Sequence, residues 1–177
     1  NFKYLFLILL SWASFAQKSD FPSEKVDSIV KRIQLPAIPK YEINVLKLGA
    51  KGDSVRDNKS VFDKAMVLCK KNNGGTIIVP KGIYKVNGPI HFVSNVNLKI
   101  EKGAKIKFSD NPKDYLPMVL TSWEGTMLYN YSPLIYANNC SNIAISGEGT
   151  IDGEGGRTWK TFKAKESEGK NRSREMN

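Results

Sequence analysis

From residue 59 to residue 71 apolar side chains return every three or four positions. Phe62, Ala65, Met66 and Cys69 fall on one face, flanked by Val61 and Leu68, while Lys59, Asp63, Lys64, Lys70 and Lys71 fall on the other. That spacing is the period of an amphipathic helix, and the Gly74-Gly75 pair closes it because glycine takes left-handed backbone angles without steric cost. The pattern predicts this one strong helix, over about 58–72. Ahead of it, 42–48 reads as a strand ending at Gly49. The turn-rich stretch 52–58 (Gly-Asp-Ser-Val-Arg-Asp-Asn) puts Asp57 at the helix N-cap.

Beyond the helix the period drops to two. Short alternating runs at 76–79, 83–86, 90–93, 96–100, 105–108, 134–137 and 143–145, separated by turn residues, predict an all-β body. Asn95-Val96-Asn97-Leu98 returns as Asn142-Ile143-Ala144-Ile145, each followed by a glycine (Gly103, Gly147) and an apolar residue (Ile106, Ile151). A recurrence of about 47 residues fits two coils of roughly two dozen residues, or one coil carrying an insertion, and such self-similarity marks a solenoid. Asparagine before each strand suits a turn, and in stacked coils its amide can bond from one coil to the next. The first coil of a solenoid leaves an apolar end open, which the helix is placed to cap. A β-sandwich is the other all-β arrangement, but it explains neither the helix nor the repeat.

The ends differ from this body. Residues 1–16 carry Lys3, an apolar run over 4–10 and small residues at Ser14 and Ala16, the layout of a signal peptide cleaved before Gln17. The run is shorter than the ~20 apolar residues a membrane span needs. No cysteine follows the cleavage point, so no lipid anchor is expected there. The mature chain is therefore expected to be secreted or periplasmic, without a membrane partner. Residues 17–40, with Pro22, Pro36 and Pro39, read as an irregular leader holding one short periodic piece at 26–33; 41–162 hold the coils, and 163–177 form a charged loop or disordered tail.

Lys and Arg number 27 against 17 Asp and Glu, a formal net charge of +10. A basic surface favours an anionic partner, and for an exported chain acidic polysaccharide fits better than nucleic acid. Cys69 and Cys140 lie in separate apolar contexts and read as free thiols, although export would permit a bridge. Sequons at Asn58, Asn130, Asn139 and Asn171 matter only in a host that glycosylates them.

Three blocks resemble a known family. They are Leu48-Gly49-Ala50-Lys51-Gly52-Asp53 with Asp57-Asn58, then 74–84 (Gly-Gly-Thr-Ile-Ile-Val-Pro-Lys-Gly-Ile-Tyr), then 145–153 (Ile-Ser-Gly-Glu-Gly-Thr-Ile-Asp-Gly). Together they resemble the opening coils of glycoside hydrolase family 28, the polygalacturonases and their relatives. The first two blocks are shared with other pectate-lyase-like β-helix proteins; the third, with Trp159, and Trp123-Glu124-Gly125 before 131–135, are similar to family 28 in particular. The resemblance implies a right-handed parallel β-helix, incomplete at the C-terminus, and a whole protein that hydrolyses galacturonic-acid linkages in pectin with inversion. The implied partners are acidic plant polysaccharides: pectin, polygalacturonate and rhamnogalacturonan.

In that family the catalytic aspartates, a histidine and an Arg-x-Lys segment follow the Gly-Thr-Ile-Asp-Gly block. This sequence has no Asn-Thr-Asp, Asp-Asp or Arg-x-Lys after Trp159, so no catalytic residue is expected within it and those residues are expected beyond Asn177. The chain by itself is expected to be inactive. Asp152 reads as a turn former at a strand end beside Gly153, Asp53 and Asp57 as turn and cap, and His91 as a surface or packed residue of its strand. No second histidine or cysteine cluster accompanies His91, so neither a metal site nor a cofactor is expected. Trp123 and Glu124 stand apart as substrate-binding candidates, in a long interval where a loop can project. An indole face stacks on a sugar ring and a carboxylate accepts hydroxyl hydrogen bonds. Two other functions remain open: a catalytically empty β-helix that binds glycans or serves adhesion, and a polysaccharide lyase on the same fold, for which no cluster of acidic calcium ligands is apparent.

Overall fold

The structure, a computed structural model, describes residues 23–156. The expected signal peptide, the tail 163–177 and the sequon at Asn171 lie outside the described residues. The chain divides into two units, one up to Leu35 and one from Pro36. Within the first, Ser23–Val30 forms a helix (α1), in which Ser28 Oγ donates to the Lys25 carbonyl at 2.8 Å. This is the short periodic piece read at 26–33, displaced toward the N-terminus.

The second unit runs through β1 (Glu42–Asn44), β2 (Asp53–Asp57), α2 (Lys59–Lys71), β3 (Gly75–Val79), β4 (Gly82–Val86), β5 (Ile90–His91), β6 (Val96–Ile100), β7 (Ala104–Phe108), β8 (Val119–Trp123), β9 (Thr126–Asn130), β10 (Ile135–Tyr136), β11 (Ala144–Ser146) and β12 (Thr150–Asp152). It is a right-handed parallel β-helix with three faces. Sheet A is ordered β1-β3-β6-β11, sheet B β12-β7-β4-β2, and sheet C pairs β5 with β10. Every pairing within these three sheets is parallel. Each coil visits A, then B, then C, and climbs by one strand spacing of about 4.8 Å.

Register resolves the repeat. Gly75 pairs with Val96, whereas Asn97 pairs with Ala144, so the long recurrence is one coil carrying an insertion between β7 and β10. Like residues stack across the coils: Ile43, Ile77, Leu98 and Ile145 form one column, Tyr84, Ile106 and Ile151 another, and Ile90 lies over Ile135. Ile77, Leu98, Tyr84, Ile106 and Ile90 are wholly buried.

Helix α2 occupies the place of a sheet C strand in the first coil and packs against β3 and β5. Phe62, Ala65, Met66 and Cys69 are all buried, as the capping argument requires. Burial pushes the Cys69 thiol up to about 11, and Cys69 and Cys140 are both free. Two local expectations fail. The strand read at 42–48 stops at Asn44, because a 3₁₀ turn over Val45–Leu48 tucks Val45 into the core; Asn44 Oδ1 accepts from Leu46 N at 2.9 Å and Gly49 ends the turn at φ 94°. The stretch read as a turn at 52–58 contains β2, whose five exposed residues form a strand only because β4 pairs with them.

The helix cap also shifts. Asp57 Oδ1 accepts from Lys59 N at 2.9 Å and from Asn87 N at 3.0 Å, but the cap position itself is Asn58. Asn58 is wholly buried, with its amide donating to the carbonyls of Lys51, Arg56 and Lys85 and accepting from Lys51 N. Such a side chain staples the first two coils and is closed to glycosylation.

Asparagines mark the turn into sheet A on three successive coils. Asn73, Asn95 and Asn142 have φ of 58°, 64° and 56°. Asn95 Nδ2 donates to the Asn73 carbonyl at 3.2 Å and Asn142 Nδ2 to Asn95 Oδ1 at 2.9 Å, so the expected ladder forms. The segment 37–41 lies along these turns: Asn142 Nδ2 reaches the Ala37 carbonyl at 2.7 Å, and Thr76 N reaches that of Tyr41 at 2.8 Å.

Candidate functional site

The insertion forms an antiparallel hairpin of β8 and β9, with Val119 opposite Asn130 and Trp123 opposite Thr126. Glu124 and Gly125 make the two-residue turn, at φ 49° and 83°. Two successive positive φ angles are the type I′ requirement, which a Glu-Gly pair meets through its glycine and at some cost at the glutamate. Trp123 is 64% exposed, and Glu124 is exposed beside it. The structure therefore brings together the two residues singled out as sugar contacts, at the tip of a projecting element. Leu120, Met127 and Tyr129 are exposed on the hairpin face opposite to that of Trp123.

The hairpin is tied to sheet C at its base. Tyr136 Oη donates to the Leu120 carbonyl at 2.9 Å, and Ser132 N donates to that of Tyr115 at 3.0 Å. Tyr115 Oη in turn donates to the Ser109 carbonyl, and burial, with Asp114 and Asp110 nearby, pushes its phenol up to about 12.

On the outer face of sheet C, His91 pairs in register with Tyr136, their ring centroids 5.2 Å apart and tilted by 55°. His91 Nε2 lies 3.2 Å from Oγ of the buried Ser132, which also donates to the Pro133 carbonyl at 3.1 Å. Burial and Lys59 hold the imidazole pKa below its ordinary value, with Asp63 opposing. The reading of His91 as a surface or packed residue omits this bond, which joins positions 41 apart. Strand periodicity gives the face of a residue but not its cross-coil neighbour.

The carboxylates behave differently. On the outer face of sheet B, Lys105 Nζ lies 3.4 Å from Asp152 and Lys107 Nζ 3.0 Å from Glu154. Asp152 Oδ1 accepts from Glu154 N at 3.0 Å, and that bond, with Lys105, holds its carboxyl below the usual range. Asp53 is held low in the same way, by the N–H groups of Arg56 and Val55. Both sit at strand ends, Asp53 opening β2 and Asp152 closing β12, and a lowered pKa there suits an ionised acceptor rather than a proton donor.

With this geometry in place, the match of residues 42–166 to the model of the rhamnogalacturonase A/epimerase, pectate lyase-like family decides the assignment. The chain belongs to that family. Among similar proteins is an exo-poly-α-D-galacturonosidase of Dickeya chrysanthemi, 36% identical over 132 residues, 70% of this chain and 21% of the relative. An exopolygalacturonase structure from Thermotoga maritima matches with a TM-score of 0.70 at 44% identity, over 74% of this chain and 29% of that one. A family 28 exopolygalacturonase from Yersinia enterocolitica matches with a TM-score of 0.57 at 29% identity, over 65% of this chain and 21% of that one. This family member thus spans between a fifth and a third of the length of these relatives.

Proposed function

We propose that the whole protein is an exported glycoside hydrolase that cleaves galacturonic-acid linkages in pectin-type polysaccharide, and that Trp123 and Glu124 contact the sugar chain. The observation that carries this is a β-helix whose relatives at 36% and 44% identity are named for galacturonan hydrolysis. Polygalacturonate is the first substrate in view and rhamnogalacturonan the second. Export rests on the signal-like pattern of residues 1–16. Inverting hydrolysis needs a protonated carboxyl and a second carboxylate roughly 6.5–9.5 Å away. Asp53 and Asp152 both have their pKa lowered, against the needs of a general acid. The proposal places the catalytic pair elsewhere in the whole protein.

The test is a reducing-end assay on polygalacturonate and rhamnogalacturonan, with the ultraviolet absorbance of unsaturated products followed in parallel. The whole protein is expected to release reducing ends without unsaturated products, and the 177-residue chain to release none. Absence of turnover by the whole protein, or unsaturated products, overturns the hydrolase reading. Turnover by the short chain that Asp152→Asn abolishes would move the active site onto sheet B. Trp123→Ala in the whole protein is expected to raise KM about tenfold with little change in kcat, since a stacking contact acts on ground state and transition state alike.

A further inference from the structure

We propose that His91 and Tyr136, on the outer face of sheet C beside the hairpin base, form a saccharide-binding subsite. Tyr136 offers a ring surface to a pyranose, and His91 Nδ1 accepts a hydrogen bond from a sugar hydroxyl. The identity of the sugar as galacturonate rests on the proposed function; the subsite itself rests on geometry.

The hydrogen bonds around Ser132 set the tautomer. A serine hydroxyl has one proton, and that of Ser132 goes to the Pro133 carbonyl. With its proton on the Pro133 carbonyl, the same oxygen, 3.2 Å from His91 Nε2, is left to accept, and that arrangement assigns the imidazole proton to Nε2. Nδ1 is then a bare lone pair on an exposed residue, and no described group donates to it. The Tyr136 hydroxyl is committed to Leu120, so its ring is held in place one coil away. The core beneath needs neither ring, being filled there by Ile90 and Ile135. A rigid aromatic surface beside an oriented acceptor matches a pyranose, which presents an apolar C–H face and a rim of hydroxyl donors. Because both rings are fixed before binding, little conformational entropy is lost when a sugar docks.

Because His91 is the only histidine in the chain, its imidazole nitrogens can be read by NMR without assignment ambiguity. At about pH 8 the free 177-residue chain is expected to show the neutral Nε2–H pattern, and saturating trigalacturonate to move the Nδ1 resonance upfield. His91→Asn, whose Oδ1 stands near the place of Nδ1, should bind within about twofold of the parent. His91→Gln, whose Nε2 can still donate to Ser132 but which has no acceptor at the place of Nδ1, should bind about fivefold more weakly, the worth of one neutral hydrogen bond. A purely structural role for His91 predicts the reverse order. The subsite is overturned if Nδ1 stays unmoved by both trigalacturonate and a neutral galactose trisaccharide, or if His91→Gln binds as the parent does. A shift with the neutral sugar alone supports the subsite and removes galacturonate as its ligand. A shift with trigalacturonate while the whole protein turns over nothing supports the subsite and removes the hydrolase reading.

Discussion

The stacked columns and the β8–β9 hairpin are both built from alternating strands, yet they hold their shape by different means. In the columns buried side chains stack on counterparts from neighbouring coils, as Leu98 lies between Ile77 and Ile145. In the hairpin the strands pair only with each other, and Leu120, Met127, Tyr129 and Trp123 keep between 41% and 70% exposure. An isolated two-stranded hairpin is marginal in water, so this one depends on the tethers at its base. The columns make a rigid body, and the hairpin is free to present side chains instead of burying them.

The largest expected break in that contrast is Leu98→Ala, which empties a wholly buried place between two coils and should cost about 2–5 kcal/mol in urea unfolding. Leu120→Ala in the hairpin should stay within about 0.5 kcal/mol. Next come two glycines of positive φ. A Cβ on Gly147 would meet the Ile100 carbonyl oxygen at 2.0 Å, whereas one on Gly125 meets nothing within 4 Å. Gly147→Ala should cost about 3 kcal/mol through strain and overpacking, and Gly125→Ala about 1 kcal/mol through backbone strain alone.

Removing a tyrosine hydroxyl should act with opposite sign in the two regions. Tyr84 Oη is buried in its column without a partner, so Tyr84→Phe should leave stability unchanged or raise it by about 1 kcal/mol. Tyr136→Phe removes the bond to Leu120, should cost about 1 kcal/mol, and should speed amide exchange in β8 and β9. The smallest effect is in pH. The folded pKa of His91 lies below its unfolded value near 6.5, so the stability linked to it is complete above that value and is lost as pH falls through the folded pKa. Urea titrations from about pH 8 to pH 5 should show this slope, and His91→Asn should remove it.

Legibility in the sequence follows the same division. The α2 face was readable because four apolar residues at helical spacing all point into one core, and the repeat because stacked coils require like residues at like places. The long recurrence hid its own cause, since a spacing alone cannot separate two coils from one coil with an insertion. Strand β2 was illegible, as none of its five residues is buried and only the partner β4 makes it a strand. Strand β12 shows in the sequence only through Ile151 and the strand end at Asp152, because three residues are too few for a period. Trp123 and Glu124 were found as a pair, but their place on a hairpin was not, although Glu-Gly between two alternating runs carries the turn signal. The link from His91 to Ser132 has no local trace at all.

The segment 37–41 lies lengthwise across the turns, reaching Asn142 on one coil and Thr76 on another. Its bond from Asn142 to Ala37 joins residues 105 apart, far more than the steps between neighbouring coils. A contact of that span closes a large loop and gains nothing until the turns it crosses are already aligned. The segment is therefore expected to act as a late latch in folding, fastened after the coils have stacked. It is expected to lift before the stacked sheets open, so a protease that samples partial opening should cut ahead of Tyr41 before it reaches the strands of sheets A and B.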